Sequence, residues 1–394
     1  MPVATPQNTQ HPLITHQRSL APDVARGFML LFIALAHAHL FVWGQEFGFR
    51  GYPNEMGLID QVVAGLQLLF VDGRAMPMFA ALFGYGLVQL TTKQLNSGME
   101  WPRVRKLLRR RSLWLVVFGF FHALLLFAGD IMGTYGLIGL IFAGFIVRKD
   151  KALLWLAAIT GVVHIAIGWI LGLAIFAVDN EGAISENAML SETFRSGAIE
   201  RVLMWSIGTP LFLMAMVLTA FALGVLAARS RLLDEPEQNR PLLRKITVAG
   251  FAISLIGGAP LMLTQVGVWE NSDAVGGALF TLHSITGIAG GLAAAALVGL
   301  VASHVRGEPG PITRALSAVG QRSMTCYLLQ SVAWTALFYP YGLGLGEHLT
   351  HAQASGVGVL VWLTTVLIAS LMARANKRGP AEVLLRQLTY GRQR

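Results

Sequence analysis

Residues 277–303 read GALFTLHSITGIAGGLAAAALVGLVAS, a stretch without one formal charge. A helix needs about 20 mostly apolar residues to cross a hydrocarbon layer roughly 30 Å thick, and this stretch exceeds that. Comparable runs recur on both sides of it. Working outward along the 394 residues, membrane spans are expected at 24–43, 75–91, 111–128, 131–147, 152–178, 207–228, 246–268, 277–303, 318–339 and 354–373. The expected fold is therefore an all-α polytopic bundle of about ten transmembrane helices.

Composition agrees. The chain is 54% hydrophobic and 13% charged, whereas soluble domains carry about a quarter charged residues. The net charge of +9 does not point to nucleic acid, because Lys and Arg fall in short connections between apolar runs, where they set topology. The single cysteine, Cys326, excludes an internal disulfide framework. The first nineteen residues are too polar for a cleavable signal peptide, so residues 1–20 read as a flexible cytoplasmic tail and the first span as an uncleaved anchor.

Positive charge marks the cytoplasmic side. Arg103, Arg105, Lys106, Arg109, Arg110 and Arg111 precede the third span; Arg148, Lys149 and Lys151 follow the fourth; Arg229, Arg231, Arg240, Arg244 and Lys245 follow the sixth. Arg306, Arg314 and Arg322 follow the eighth, and Arg374, Lys377, Arg378 and Arg386 the tenth. Every second connection is thus basic, and both termini are cytoplasmic. The apolar segment 58–71 is short and contains Asp60 and Gln67. Counting it as a span breaks the parity, so it is expected as an outer interfacial or re-entrant helix that returns through Asp72-Gly73-Arg74. Residues 179–206, with Glu181, Glu186, Glu192 and Glu200, read as an outer loop over the surface, and 374–394 as a cytoplasmic tail. Residues 21–394 thus read as one transmembrane domain, with no internal repeat. Gly129/Gly133, Gly168/Gly172 and Gly287/Gly291 have the spacing of close helix packing, which also permits a homodimer.

Ionisable groups inside a span cost about 2.5 to 3.5 kcal/mol on insertion scales, so each needs a partner or a function. Arg26 and His37 lie eleven residues apart, close to three turns and about 16 Å along one helix face. This places the arginine at the cytoplasmic edge and His37 near mid-membrane, with His39 pointing elsewhere; chance spacing is the competing account. His122 follows Arg111 at the same interval, although Arg111 also belongs to the basic run that sets topology. Asp130 admits two readings, an N-cap for the fourth span or a functional carboxylate. For His283, flanked by Thr281, Ser284 and Thr286, an interhelical hydrogen bond suffices.

Several stretches together resemble the YeiB-like family of bacterial inner-membrane proteins, almost end to end: Asp23-Val24-Ala25-Arg26-Gly27-Phe28; Gly73-Arg74 with Leu82-Phe83-Gly84-Tyr85-Gly86; Gly119 with His122 and Gly129-Asp130-Ile131; the run from Gly320 to Ser331; and Gly379-Pro380-Ala381-Glu382 through Leu388-Thr389-Tyr390-Gly391. That family resembles the transmembrane acyltransferases, which include the acyltransferase-3 proteins and the lysosomal heparan glucosaminide acetyltransferase. The Arg26/His37 pair is similar to the acyltransferase-3 first-span motif, in which an arginine precedes a catalytic histidine. Many YeiB-like members carry asparagine where this chain has His37, and asparagine is common at the place of Cys326.

The resemblance implies a multi-pass protein of the bacterial plasma membrane. It would pass an acyl group from cytoplasmic acyl-CoA, acetyl-CoA included, to a hydroxyl or amine on the outer side, without a metal. Its partners would be the bilayer, the acyl donor and the acceptor, with no nucleic acid. His37, His122 and Asp130 are the implied catalytic groups, His37 acting as general base or as the acylated residue. Arg26 and Arg111 would hold the CoA phosphates, and Arg74, Tyr327, His283 and Gln330 the acceptor. A proton-coupled transporter or exporter would use the same intramembrane groups as a relay, and a noncatalytic membrane protein would use them only for packing.

Overall fold

A computed structural model describes residues 20–45, 47, 51–177, 193–210, 214–305 and 307–391. The expected N-terminal tail, Glu181, Glu186 and Glu192 of the outer connection, and Arg306 lie outside the described residues. Regular structure among the described residues is helical, with one isolated bridge between Phe47 and Pro53. The helices are α1 Leu20–Ala38, α2 Leu58–Phe70, α3 Ala75–Asn96, α4 Trp101–Leu125, α5 Ile131–Phe142, α6 Asp150–Ala177 and α7 Phe194–Gly208. They continue with α8 Met214–Arg229, α9 Arg240–Gln265, α10 Asp273–Ala302, α11 Pro311–Gln321, α12 Ser323–Phe338, α13 His351–Arg374 and α14 Pro380–Tyr390.

Six helical segments are long and apolar enough to cross a membrane: α1, α2 taken together with α3, α6, α9, α10 and α13. Shorter apolar helices, α5 extended to Val147 and the greater part of α8, pack among them. Large apolar side chains face outward from these helices, Ile256 at 75% and Leu360 at 62% exposure. Such surfaces suit lipid rather than water, and the chain is a membrane protein with an all-α bundle. The ends bearing the basic connections are called inner below.

Three regions differ from what hydropathy suggests. Helix α2 has 13 residues and spans about 20 Å, too short to cross alone. Its start lies at the outer end of α13, where Asp60 Oδ1 accepts the Ala352 amide at 2.7 Å. One turn further into α13, Gln67 donates to Ser355 Oγ at 2.7 Å. The turn after α2 then reaches Ser254, midway along α9. Of the two expected forms, interfacial or re-entrant, the structure takes the descending one: α2 and α3 form a helix broken at Asp72-Gly73-Arg74 within the bundle. Gly73 holds a left-handed φ of +71°, and a Cβ there would stand 3.2 Å from His283 Nε2. Backbone groups freed inside a bundle need partners. Arg74 supplies them, donating to Asp72 O at 2.5 Å and Ser254 O at 2.8 Å.

The second half of the expected outer loop is helix α7, packed against α4. Its fully buried Arg201 donates through Nε to Ala123 O at 3.1 Å and through Nη2 to Leu124 O at 3.1 Å. A cation there satisfies the last carbonyls of α4 and complements the helix dipole. The C-terminal segment is likewise more than a tail. Glu382 of α14 accepts the amides of Met324 at 2.8 Å and Thr325 at 3.1 Å, capping the start of α12.

Glycine spacing does mark close contacts. A Cβ on Gly291 would lie 2.6 Å from Arg74 O and 2.7 Å from Met78 N, whereas one on Gly356 meets nothing within 4 Å. Gly291→Leu should therefore destabilise the bundle by about 2 kcal/mol or more, measured as loss of monodisperse protein after heating in detergent. Gly356→Leu should leave that curve in place.

Candidate functional site

Helices α1 and α4 run in the same inner-to-outer direction, and each carries an arginine followed eleven residues later by a histidine: Arg26/His37 and Arg111/His122. Arg111 lies within electrostatic range of Arg26 and of the Tyr390 phenol, and His37 within range of His122. Arg26 donates to Asp23 Oδ1 at 3.2 Å and Leu82 O at 3.4 Å. Arg111 makes no hydrogen bond or ion pair among the described residues, while its neighbours Arg109 and Arg110 point to the exterior. Arg111 and His37 are both half-buried.

His37 sits in the last turn of α1, further out than the mid-membrane depth expected for it, because the helix ends at Ala38. Its ring packs against Phe127 with centroids 4.8 Å apart. His39 turns away and stacks on Tyr52 at 4.2 Å, as its helical position suggested.

A buried polar group surrounds His122, in the last turn of α4. His122 Nε2 is 2.8 Å from Ser331 Oγ on α12, and His122 Nδ1 is 3.1 Å from Asp130 Oδ1, both side chains being fully buried. The latter is an ion-pair approach rather than a linear hydrogen bond. Asp130 also accepts the Met132 amide at 3.1 Å, the Gly133 amide at 2.5 Å and Trp205 Nε1–H at 3.2 Å. Asp130 thus caps α5 and stands beside the imidazole. Ser331 Oγ also donates to Tyr327 O at 3.3 Å, and the tautomer of His122 sets whether Nε2 gives to the serine or receives from it. Tyr327, one turn before Ser331, lies with its ring centroid 5.0 Å from that of His122.

The remaining candidates divide. Arg74 and His283 meet, Arg74 Nη1 lying 3.0 Å from His283 Nε2 and 3.2 Å from Nδ1. They stand at the broken helix, where Ser254 also engages Arg74 at 2.9 Å, so protein contacts saturate the guanidinium. Gln330 donates to Leu30 O at 3.3 Å and ties α12 to α1. Among the described residues no group of three or more His, Cys, Asp or Glu side chains is placed to share a metal ion. Sequence reasoning missed Ser331, Trp205 and Arg201. A lone serine carries no signal, but Arg201 could have been noticed as one of two cations, with Arg195, in a mainly acidic outer connection.

The comparisons with known proteins follow this division. Residues 227–392 match the family model described as "Protein of unknown function (DUF418)", a region that contributes His283, Tyr327, Gln330 and Ser331. The chain is 28% identical over 410 aligned positions to "Uncharacterized protein YxaH" of Bacillus subtilis (strain 168), covering 96% of each. It is 27% identical over 392 positions to "Uncharacterized protein YeiB" of Escherichia coli (strain K12), covering 95% of this chain and 96% of the relative. These end-to-end similarities and the C-terminal match agree: the chain is YeiB-like along nearly its whole length, with the DUF418 match over its own residues 227–392.

Proposed function

We propose that this protein is an acyltransferase of the bacterial plasma membrane, carrying an acyl group from a cytoplasmic acyl-CoA to a hydroxyl or amine on the outer side. The observation that carries the reading is the pair of Arg/His columns on α1 and α4. At the inner end Arg26 and Arg111 lie within electrostatic range of each other, and Arg111 makes no hydrogen bond or ion pair among the described residues. Adjacent cations repel unless an anion sits between or beside them, and phosphate oxygens are strong acceptors for guanidinium. Eleven residues outward, about 16 Å along the helix, stand two histidines suited to general-base work at neutral pH. An extended pantetheine arm has that reach. Arg26 and Arg111 would hold the CoA phosphates, and His122, oriented by Asp130, would meet the thioester. His37 would meet the acceptor from the outer side.

The test is binding of acetyl-CoA and longer acyl-CoAs to the purified protein in detergent or nanodiscs. Arg111→Gln should weaken binding about tenfold or more, since a hydrogen bond to a charged group contributes about 1.5 to 3 kcal/mol. Equal affinity in wild type and variant would remove the arginines from the site.

One observation favours a proton-coupled transporter instead. The helix broken at Asp72-Gly73-Arg74 inside the bundle is the kind of element that forms substrate sites in transporters. Substrate-dependent proton flux in liposomes, lost in Asp130→Asn, would support that reading against acyl transfer.

A further inference from the structure

We infer that Ser331 is the nucleophile of this site and carries the acyl group as a covalent ester between donor and acceptor. The inference rests on the acyl-transfer reading above and adds its chemical course. Ser331 Oγ, His122 and Asp130 form a serine–histidine–carboxylate relay drawn from three elements, with Oγ to Nε2 at 2.8 Å and Nδ1 to Oδ1 at 3.1 Å. Such a relay is recognised by geometry and role rather than by fold or chain order. Its third member is held by two backbone amides and an indole N–H, which fixes the carboxylate 3.1 Å from the imidazole.

A second observation points to a ligand at the same place. Buried polar atoms normally find hydrogen-bond partners, and exceptions call for an explanation. Among the described residues Gln330 Oε1 and Trp334 Nε1 are buried without one, and the Tyr327 hydroxyl, beside the Ile131 amide N–H, gives its own proton to none. Together with Ser331 they occupy positions 327, 330, 331 and 334, a single face of α12. Tyr327 O–H, next to the His122 ring, is a donor waiting for an acceptor, as an oxyanion requires.

The step balances as follows. The Ser331 hydroxyl proton passes to His122 Nε2 while Oγ attacks the thioester carbonyl, whose developing oxyanion takes the Tyr327 hydrogen bond. The C–O bond forms, the C–S bond breaks, and the CoA thiolate leaves with the proton from the imidazolium. The acceptor hydroxyl or amine then gives its proton to His122 and attacks the acyl-serine carbonyl; the new C–O or C–N bond forms, the C–Oγ bond breaks, and the imidazolium returns the proton to Ser331 Oγ.

The experiment uses the full-length protein in detergent with radiolabelled acetyl-CoA and no acceptor. Expected is a burst of about one CoA per protein and an acetyl mass increment on the peptide bearing Ser331 after acid quench. Ser331→Ala should reduce the burst at least about a hundredfold and remove the increment, with acetyl-CoA affinity and detergent monodispersity retained. Ser331→Cys should instead carry a hydroxylamine-labile thioester. If Ser331→Ala still releases CoA at the wild-type rate, or the label sits on His37 or His122, the serine assignment is overturned and acyl transfer stands. If the wild type neither binds nor cleaves acetyl-CoA or longer acyl-CoAs, both fail together.

Discussion

His122→Ala should lower acyl-CoA cleavage by about 10²- to 10⁴-fold, the range that a positioned general base contributes, measured as thiol release per protein. The loss should be confined to turnover, because Arg111 lies about 16 Å away along the helix, and acyl-CoA affinity should hold. His37→Ala should act differently. His37 packs on Phe127 and has no hydrogen bond to Ser331 or Asp130, so it should slow transfer to acceptor more than release of CoA. Full CoA release in His122→Ala together with its loss in His37→Ala would exchange the two roles and return the base to the first span.

Arg201→Ala should cost about 3 kcal/mol of stability, one of the largest losses available from a single surface-loop residue by sequence position. The side chain is fully buried, and its removal strands the carbonyls of Ala123 and Leu124 and leaves Tyr341 OH without its 3.3 Å donor. Each buried group left unpaired costs about 1 to 3 kcal/mol. Because α4 ends two residues later at Leu125, the damage should spread to the Asp130 cap and through it to His122. Thermal unfolding in detergent checks the first effect and CoA release the second. Arg201→Lys should recover little, since an ammonium is a compact charge rather than a planar fork able to serve two carbonyls and a phenol at once. A wild-type melting curve for Arg201→Ala would refute the capping role.

Hydropathy and charge were enough for much of this protein. Spans need runs of apolar residues whatever their neighbours, and basic connections orient them, so the all-α membrane bundle was legible from 277–303 outward. Helical periodicity likewise placed Arg26 with His37 and Arg111 with His122 on single faces, since that relation depends only on 3.6 residues per turn. Asp130 followed the same logic as a cap, and Gly291 as a contact between helices. None of this required knowing which helices touch.

Everything that joins one helix to another waited for the tertiary structure. That α2 descends into the bundle, that α7 covers the end of α4, and that α14 caps α12 all depend on partners distant in sequence: Ser254, Ala123 and Met324. His122 reaches Ser331 across 209 positions, and no spacing rule spans such an interval. The sequence by itself determined which residues must lie within the membrane and which face of its own helix each occupies. Only the packing of α4 against α5 and α12 decided that Ser331, a residue with no local signature, stands against His122 and Asp130, because hydrogen-bond geometry is set by contact in space rather than by order along the chain.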